Sequence, residues 1–183
     1  AYTHADTLRG SNGRGRNWWD VQQYDLNIRF DTAERSISGY NQFFVKITGT
    51  PNDSMQIDLQ EPMVLDSVKL VSSLRSSNQQ MATITKEGSA WWVIYPFHQF
   101  SKDSSISVIT YYHGIPRQAV NPPWDGGFSW SRDSTGKLWV AVSCQGLGAS
   151  IWWPCKDAQW DEPDNGMNVS LLSLIHISEP TRP

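Results

Sequence analysis

The sequence predicts an all-β domain, folded either as an antiparallel β-sandwich or as a saddle-shaped open sheet. Short segments in which apolar and polar residues alternate recur along the chain, and turn-forming residues separate them. No segment keeps a helical period of apolar residues for three turns. The 183 residues, 39% of them apolar, are enough for one domain with its own core.

The chain opens with a polar lead-in, residues 1–20, for which we predict an extended conformation. The alternating segment 24–30 follows as a first strand with one solvent-facing side. Residues 36–48 return as a second strand after a turn. We expect this pair to form a hairpin at the start of the β domain, which we place at residues 21–171.

Further short strands are predicted along the domain, each bounded by turn signals. They are residues 55–59, 65–71, 81–85, 90–95, 105–113, 138–142 and a strand that starts at residue 168. The longest irregular segment is 114–127, which contains prolines at 116, 122 and 123. We expect it to lie on the surface as a functional or interface loop.

The stretch 139–167 organises the rest of the chain. Cys144 and Gln145 stand where a predicted strand ends, before Gly146 and Gly148 break the pattern. Binding residues are often carried by loops that a rigid strand positions. The strand end is therefore a candidate site, although the residues alone favour Gln145 as a simple cap of the strand.

Composition narrows the function classes. A net charge of -3 without a basic run predicts no nucleic-acid partner, and no apolar run is long enough for a transmembrane segment. A zinc site is not favoured, because no C-x-x-C spacing or histidine pair accompanies Cys144 and Cys155. A disulfide between them is not favoured either, because Cys144 ends a strand, Cys155 follows a Trp-Trp-Pro corner, and nothing requires their Cα atoms to lie within bridging distance. The two cysteines do not decide the cellular compartment, because they could be bridged or reduced. We expect a periplasmic or extracellular location in preference to a cytoplasmic one.

The four acidic residues that follow Cys155 raise the question of a calcium loop. They are Asp157, Asp161, Glu162 and Asp164. Their spacing does not match a calcium cage, and the nearby proline, amides and glycine are typical of a turn. We therefore predict a solvated surface turn here.

Ten tryptophans are unusual for this length and must lie in the core or at interfaces. At least one of Trp152 and Trp153 should be buried, because neighbours on a strand point to opposite faces. A carbohydrate-binding β-sandwich is one alternative, with Trp124, Trp130 and Trp160 as stacking platforms if their rings are exposed on one face. An extracellular structural or adhesion module is another, and it predicts a buried Gln145 with internal hydrogen bonds.

Several motifs in order resemble a known family. They are Trp18-Trp19-Asp20, Tyr24-Asp25-Leu26, Ile37-Ser38-Gly39, Cys144-Gln145-Gly146, Trp152-Trp153-Pro154-Cys155-Lys156-Asp157 and Asp161-Glu162-Pro163. Together they resemble the N-terminal domain of zinc aminopeptidases of the aminopeptidase N type, peptidase family M1. The resemblance implies a saddle-shaped β domain that precedes a thermolysin-like catalytic domain and closes one wall of its active site.

The same resemblance implies a substrate-binding site at Cys144, Gln145 and Gly146. Gln145 stands where the family places a Gln or Glu that contacts the free α-amino group of the peptide substrate. Zinc would be bound by an H-E-x-x-H motif, which none of His4, His98, His113 and His176 begins. We therefore expect zinc only in a full-length parent enzyme, whose missing catalytic domain would be the partner of this chain.

The last twelve residues of the sequence are expected to be non-native. Residues 172–183, L-S-L-I-H-I-S-E-P-T-R-P, look like a translated sequencing adapter rather than native protein. Under this interpretation the β domain is truncated, its sheet is incomplete at the C-terminal end, and the chain is inactive alone.

Overall fold

A computed structural model describes residues 1–71 and 79–173. Within this part the chain forms ten strands, one α-helix and two 3₁₀ turns. The bounds are α1 (His4–Gly10), β1 (Trp19–Asp31), β2 (Ser36–Ile47), β3 (Ser54–Asp58), β4 (Val64–Val71), β5 (Gln79–Glu87), β6 (Ala90–Ile94), a 3₁₀ turn (Phe97–Gln99), β7 (Ser105–Gly114), β8 (Gly127–Arg132), β9 (Leu138–Ser143), a 3₁₀ turn (Ala149–Ile151) and β10 (Met167–Ser173).

Eight strands form one curled open sheet in the order β10-β1-β2-β7-β4-β5-β6-β3, and β8 pairs with β9 separately. The all-β open sheet is therefore confirmed. The sheet is mixed rather than purely antiparallel, because β10 runs parallel to β1. Nearly the whole domain separates these two strands in sequence, so no tight turn constrains their relative direction.

The predicted hairpin of β1 and β2 is confirmed. The two strands pair in antiparallel register from Trp19 opposite Ile47 to Asp31 opposite Ser36, with an irregularity between Val21 and Gln23. Tyr24, Leu26 and Ile28 are buried, as the alternation of apolar residues in the sequence indicates.

The core lies between this sheet and the segment that follows β9. Trp153 and Cys155 of that segment are buried in the same apolar cluster as the strand residues. The Trp153 ring meets the Tyr24 ring edge-on, with 5.0 Å between centroids. Trp153 is buried and Trp152 is partly buried, which confirms that at least one ring of the pair belongs to the core. The segment after β9 is thus fixed against the sheet.

The extended lead-in is corrected by the structure, because α1 lies within it. Thr3 and Asp6 form a capping box, and Leu8 is buried. A helix of 7 residues is not stable in isolation, so its packing on the domain stabilises it. Tertiary contacts therefore override the polar composition of residues 1–20.

Two further features of the structure, strand β8 and the end of β10, differ from the sequence prediction. Strand β8 was not predicted, although Phe128 and Trp130 alternate with serines. At the C-terminus, Leu172 and Ser173 complete β10 opposite Arg29 and Phe30 of β1. The rest of the predicted adapter-like tail, residues 174–183, lies outside the described residues.

Residues 1–71 and 79–173 contain no helix with the length and apolar character needed to cross a bilayer.

Candidate functional site

The three residues proposed for substrate binding form one tight turn directly after β9. Its backbone is closed by Leu147 and Gly148, whose N–H groups donate to the Cys144 carbonyl at 3.2 and 2.9 Å. Cys144, Gln145 and Gly146 are all exposed. Among the described residues, the Gln145 side-chain amide has no hydrogen-bond partner, and its backbone N–H donates to the Ser143 hydroxyl at 3.4 Å. We call residues 144–148 the Gln145 turn.

Glycine is required in this turn for two reasons. Gly146 and Gly148 have φ of +69° and +81°, in the region that residues with a side chain rarely adopt. In addition, a Cβ atom at Gly148 would lie 2.1 Å from Oδ2 of Asp157. The glycines that interrupt the sequence pattern thus allow the turn to approach the segment after Trp153.

A cavity of about 490 Å³ opens beside the Gln145 turn. Cys144 and Gly146 line it from the turn, Asp6 and Arg9 from α1, and Trp160 from the segment after Trp153. Gln145 is not part of its lining. The cavity therefore joins three separate regions of the chain and has both positive and negative side chains in its wall.

Asp157 connects the turn to the main sheet. Its Oδ2 atom accepts the Ser150 hydroxyl at 2.5 Å and the Ser150 N–H at 3.3 Å, and its own N–H donates to Oδ2 of Asp58 at 3.0 Å. Asp58 and Cys155 also exchange backbone hydrogen bonds of 2.8 and 3.1 Å. The segment that follows Trp153 is thus attached to the end of β3.

Asp58 is itself buried and forms an ion pair with the buried guanidinium of Arg16. Burial raises the pKa of Asp58, while the charge of Arg16 lowers it. Arg16 also donates through Nη1 to the Arg9 and Ser11 carbonyls, at 2.9 and 3.2 Å, at the C-terminal end of α1. Arg16 therefore satisfies carbonyls that the helix leaves unpaired and connects α1 to β3.

The predicted solvated acidic turn is wrong for two of its four residues. Asp157 is half-buried in the contacts described above, and the Asp161 carboxylate pairs with buried Lys156. Lys156 Nζ also donates to the Trp19 carbonyl at 2.5 Å and lies 4.3 Å from the centroid of the Trp19 ring. Burial lowers the pKa of Lys156, and Asp161 opposes that shift. Only Glu162 and Asp164 of this group are exposed.

The two cysteines and the three described histidines do not form a metal-binding group in the described part of the chain. Cys144 and Cys155 are both free, and desolvation raises the pKa of each thiol, so both favour the protonated form. His4, His98 and His113 each contact one exposed carboxylate. Residues 1–71 and 79–173 contain no group of three or more side chains arranged to hold a metal ion. His176 lies outside them.

The structure also bears on the two alternative functions. Trp124 and Trp160 are exposed, but Trp130 stacks on Phe128 at 5.7 Å and packs against the core. The three exposed rings required for a sugar platform are therefore not present. The structural-module alternative required a buried Gln145, and this residue is exposed.

Three charged residues that support the site were not recognised as such by sequence reasoning: buried Arg16, buried Lys156 and half-buried Asp157. Lys156 and Asp157 do belong to the Trp-Trp-Pro-Cys-Lys-Asp motif, which was a usable signal. Arg16 gives none, because it is one of several arginines in a polar segment. Its burial is visible only once α1 and β3 are in place.

Comparison with solved structures identifies the fold. Yeast LTA4 hydrolase matches 86% of this chain with a TM-score of 0.63 and 16% identity. An M1 zinc metallopeptidase mutant from Deinococcus radiodurans, bound to a Tyr-Ser-Ala substrate, matches 87% with a TM-score of 0.62 and 19% identity. Another structure of that mutant protein matches 93% with a TM-score of 0.63 and 18% identity.

This chain spans 23% of the yeast protein and 33% and 36% of the two Deinococcus structures. No family model and no curated protein matches the sequence. The chain therefore has the fold of one part of M1 zinc metallopeptidases, at a level of identity that shows the fold alone.

Proposed function

We propose that this chain is the N-terminal β domain of a zinc metallo-aminopeptidase, a hydrolase that removes N-terminal residues from peptides. Its role is to close one wall of an active site that a catalytic domain of the same polypeptide provides. The observation that supports this most directly is the exposed Gln145 turn, anchored to a sheet with the M1 metallopeptidase fold.

The chemistry of the turn suits recognition of a peptide N-terminus. The amide oxygen of Gln145 can accept a hydrogen bond from the α-ammonium group of the substrate. A hydrogen bond to a charged group contributes roughly 1.5–3 kcal/mol. Cys144 and Gly146 contribute the backbone that presents Gln145, and the protonated thiol of Cys144 is not suited to act as a nucleophile.

The surface beside the turn is suited to contact another domain. Trp139 on the outer face of β9 is 62% exposed, and Trp124 in the preceding loop is 80% exposed. Ser143, on the same face as Trp139, donates through its hydroxyl to the carbonyl of Pro123, next to Trp124. Exposed aromatic side chains of this size are typical of interfaces. We propose that the catalytic domain covers this face.

Zinc belongs to the catalytic domain in this proposal. The described residues do not form a set of zinc ligands, so no step of the reaction is assigned to zinc bound by them. The chain alone is accordingly expected to bind no zinc tightly and to hydrolyse no aminoacyl substrate.

The test is to recover the complete open reading frame at the source locus and to express the full protein. We expect an H-E-x-x-H motif downstream and hydrolysis of aminoacyl substrates that a chelator abolishes. The chain of 183 residues serves as the matched control without activity. A complete reading frame without that motif, or stoichiometric zinc in the isolated chain, would contradict the proposal.

A further inference from the structure

We infer that Arg9 is a positioning residue for the Gln145 turn, and that α1 acts as a brace for amino-group recognition. This inference rests on the proposed function of Gln145. It starts from one contact: Nη2 of Arg9 donates to the Gly146 carbonyl at 2.8 Å, across 137 residues of sequence. That carbonyl directly follows Gln145 in the chain.

The Gln145 turn needs restraint from outside because its own sequence is permissive. Two of its five residues are glycines with positive φ, and glycine has more conformational freedom to lose than any other residue. Gln60 restrains one side of the turn, because its Nε2 donates to the Leu147 carbonyl at 2.6 Å. Arg9 restrains the other side at Gly146, the residue next to Gln145.

Arg9 can act as a brace because α1 is fixed on the domain at several points. Leu8 is buried, and its carbonyl accepts Nε2 of Gln56 at 2.8 Å. The Arg9 carbonyl accepts Nη1 of buried Arg16, which pairs with Asp58. Both ends of the Arg9 residue are therefore held, its backbone by the core and its guanidinium by the turn.

The brace can be measured in the isolated chain by amide hydrogen exchange, independently of any activity. Replacing Arg9 by Met removes the donor and keeps an unbranched side chain. We expect the Leu147 and Gly148 amides to exchange about threefold to tenfold faster in Arg9→Met, because a lost charge-assisted bond favours opening of the turn. Arg9→Lys should restore part of the protection, since an ammonium group can donate to the same carbonyl.

Arg14→Met is the matched control, because Arg14 is an exposed arginine of the same segment. It should leave these two amides unchanged. Equal exchange rates of these amides in the Arg9 and Arg14 variants would overturn the inference that Arg9 restrains the Gln145 turn.

The effect of Arg9 on recognition of the substrate amino group is tested in the full-length enzyme with a double-mutant cycle. We expect Arg9→Met to lower kcat/KM for peptides with a free N-terminus, and to have little further effect when Gln145→Ala is already present. A purely structural role of Arg9 predicts independent effects that add, and additivity would overturn the positioning role. If Gln145→Ala alone has no effect, the proposed function of Gln145 fails, while the exchange measurement still decides whether Arg9 restrains the turn.

Discussion

The carboxylate of Asp58 accepts the backbone N–H of Asp157 at 3.0 Å, although 99 residues separate the two in sequence. This bond joins the end of β3 to the segment that carries Asp157 beside the Gln145 turn. Arg16 supplies the opposite charge for Asp58 and holds the C-terminal end of α1. A single buried charge pair thus supports both the turn and the helix beside it.

Removing one charge of this pair should destabilise the fold strongly. Asp58→Asn keeps the shape and an acceptor for Asp157 but leaves the Arg16 charge buried alone, so we expect a loss of about 3–5 kcal/mol in the free energy of unfolding. Arg16→Met should cost a similar amount. The double variant should be more stable than the sum of the two single effects, because it leaves neither charge unpaired.

Urea denaturation of the four proteins measures this coupling, and Glu61→Gln is the control. Glu61 belongs to an exposed ion pair with Lys86, so its loss should change stability little. Strict additivity of the Arg16 and Asp58 variants would contradict the buried pair.

Gln145→Ala in the full-length enzyme should lower kcat/KM for peptides with a free N-terminus by about ten- to a hundredfold. The reason is the loss of one charge-assisted acceptor, at roughly 1.5–3 kcal/mol. Gln145→Glu should preserve or strengthen binding, because a carboxylate is the stronger acceptor. Steady-state kinetics and thermal unfolding of both variants distinguish a substrate-binding role of Gln145 from a structural one. A lowered melting temperature with unchanged kcat/KM would instead assign Gln145 a structural role.

Gly148→Ala should destabilise the domain more than Gly146→Ala. Both positions have positive φ, so each substitution introduces backbone strain of about 1–3 kcal/mol. A Cβ atom at Gly146 meets nothing within 4 Å, whereas at Gly148 it overlaps Asp157. The two variants differ chiefly in this overlap, and their melting temperatures measure it. Equal melting temperatures would mean that Asp157 moves away without cost.

Buried Lys156 should make stability rise with pH in the alkaline range. Burial lowers its pKa below the usual 10.5, so between the folded-state pKa and 10.5 the unfolded chain binds more protons than the folded one. Stability attributable to Lys156 therefore increases as the pH rises through this window. Comparing the free energy of unfolding of Lys156→Met with the original protein across it should show the advantage of the original protein growing.

Lys102→Met is the control for this pH series, because Lys102 is exposed. Its stability should follow that of the original protein at every pH. An advantage over Lys156→Met that stays constant or shrinks through the window would contradict the assigned direction of the pKa shift.

Most of the sheet could be predicted from alternation of apolar and polar residues. The β1–β2 hairpin, the strands β3 to β7 and β9, and the position of Gln145 after β9 were all visible in this way. The parallel direction of β10 was not, because alternation reports which face is buried and says nothing about strand direction.

The supports of the candidate site were harder to predict than its location. α1 depends on tertiary contacts at Leu8 and at its C-terminal carbonyls, which a short polar segment does not reveal. Asp157 and Asp161 were predicted to be solvated, because their spacing does not match a calcium cage and the nearby proline, amides and glycine are typical of a surface turn. Lys156 and Ser150 are near them in sequence, but the contacts that attach these residues to the sheet come from distant segments: Asp58 accepts the Asp157 N–H, and the Val21 N–H donates to Asp161. Local sequence patterns could not identify these contacts.

The parallel pairing of β10 with β1 has a consequence for the order of synthesis. β1 leaves the ribosome well before β10, because residues 32–166 lie between the two strands. At translation rates of about 5–20 residues per second, the outer edge of β1 stays unpaired for roughly 7–27 seconds. The nascent domain therefore carries an open strand edge on β1 while the other strands assemble, and a chaperone that binds extended segments could bind this edge.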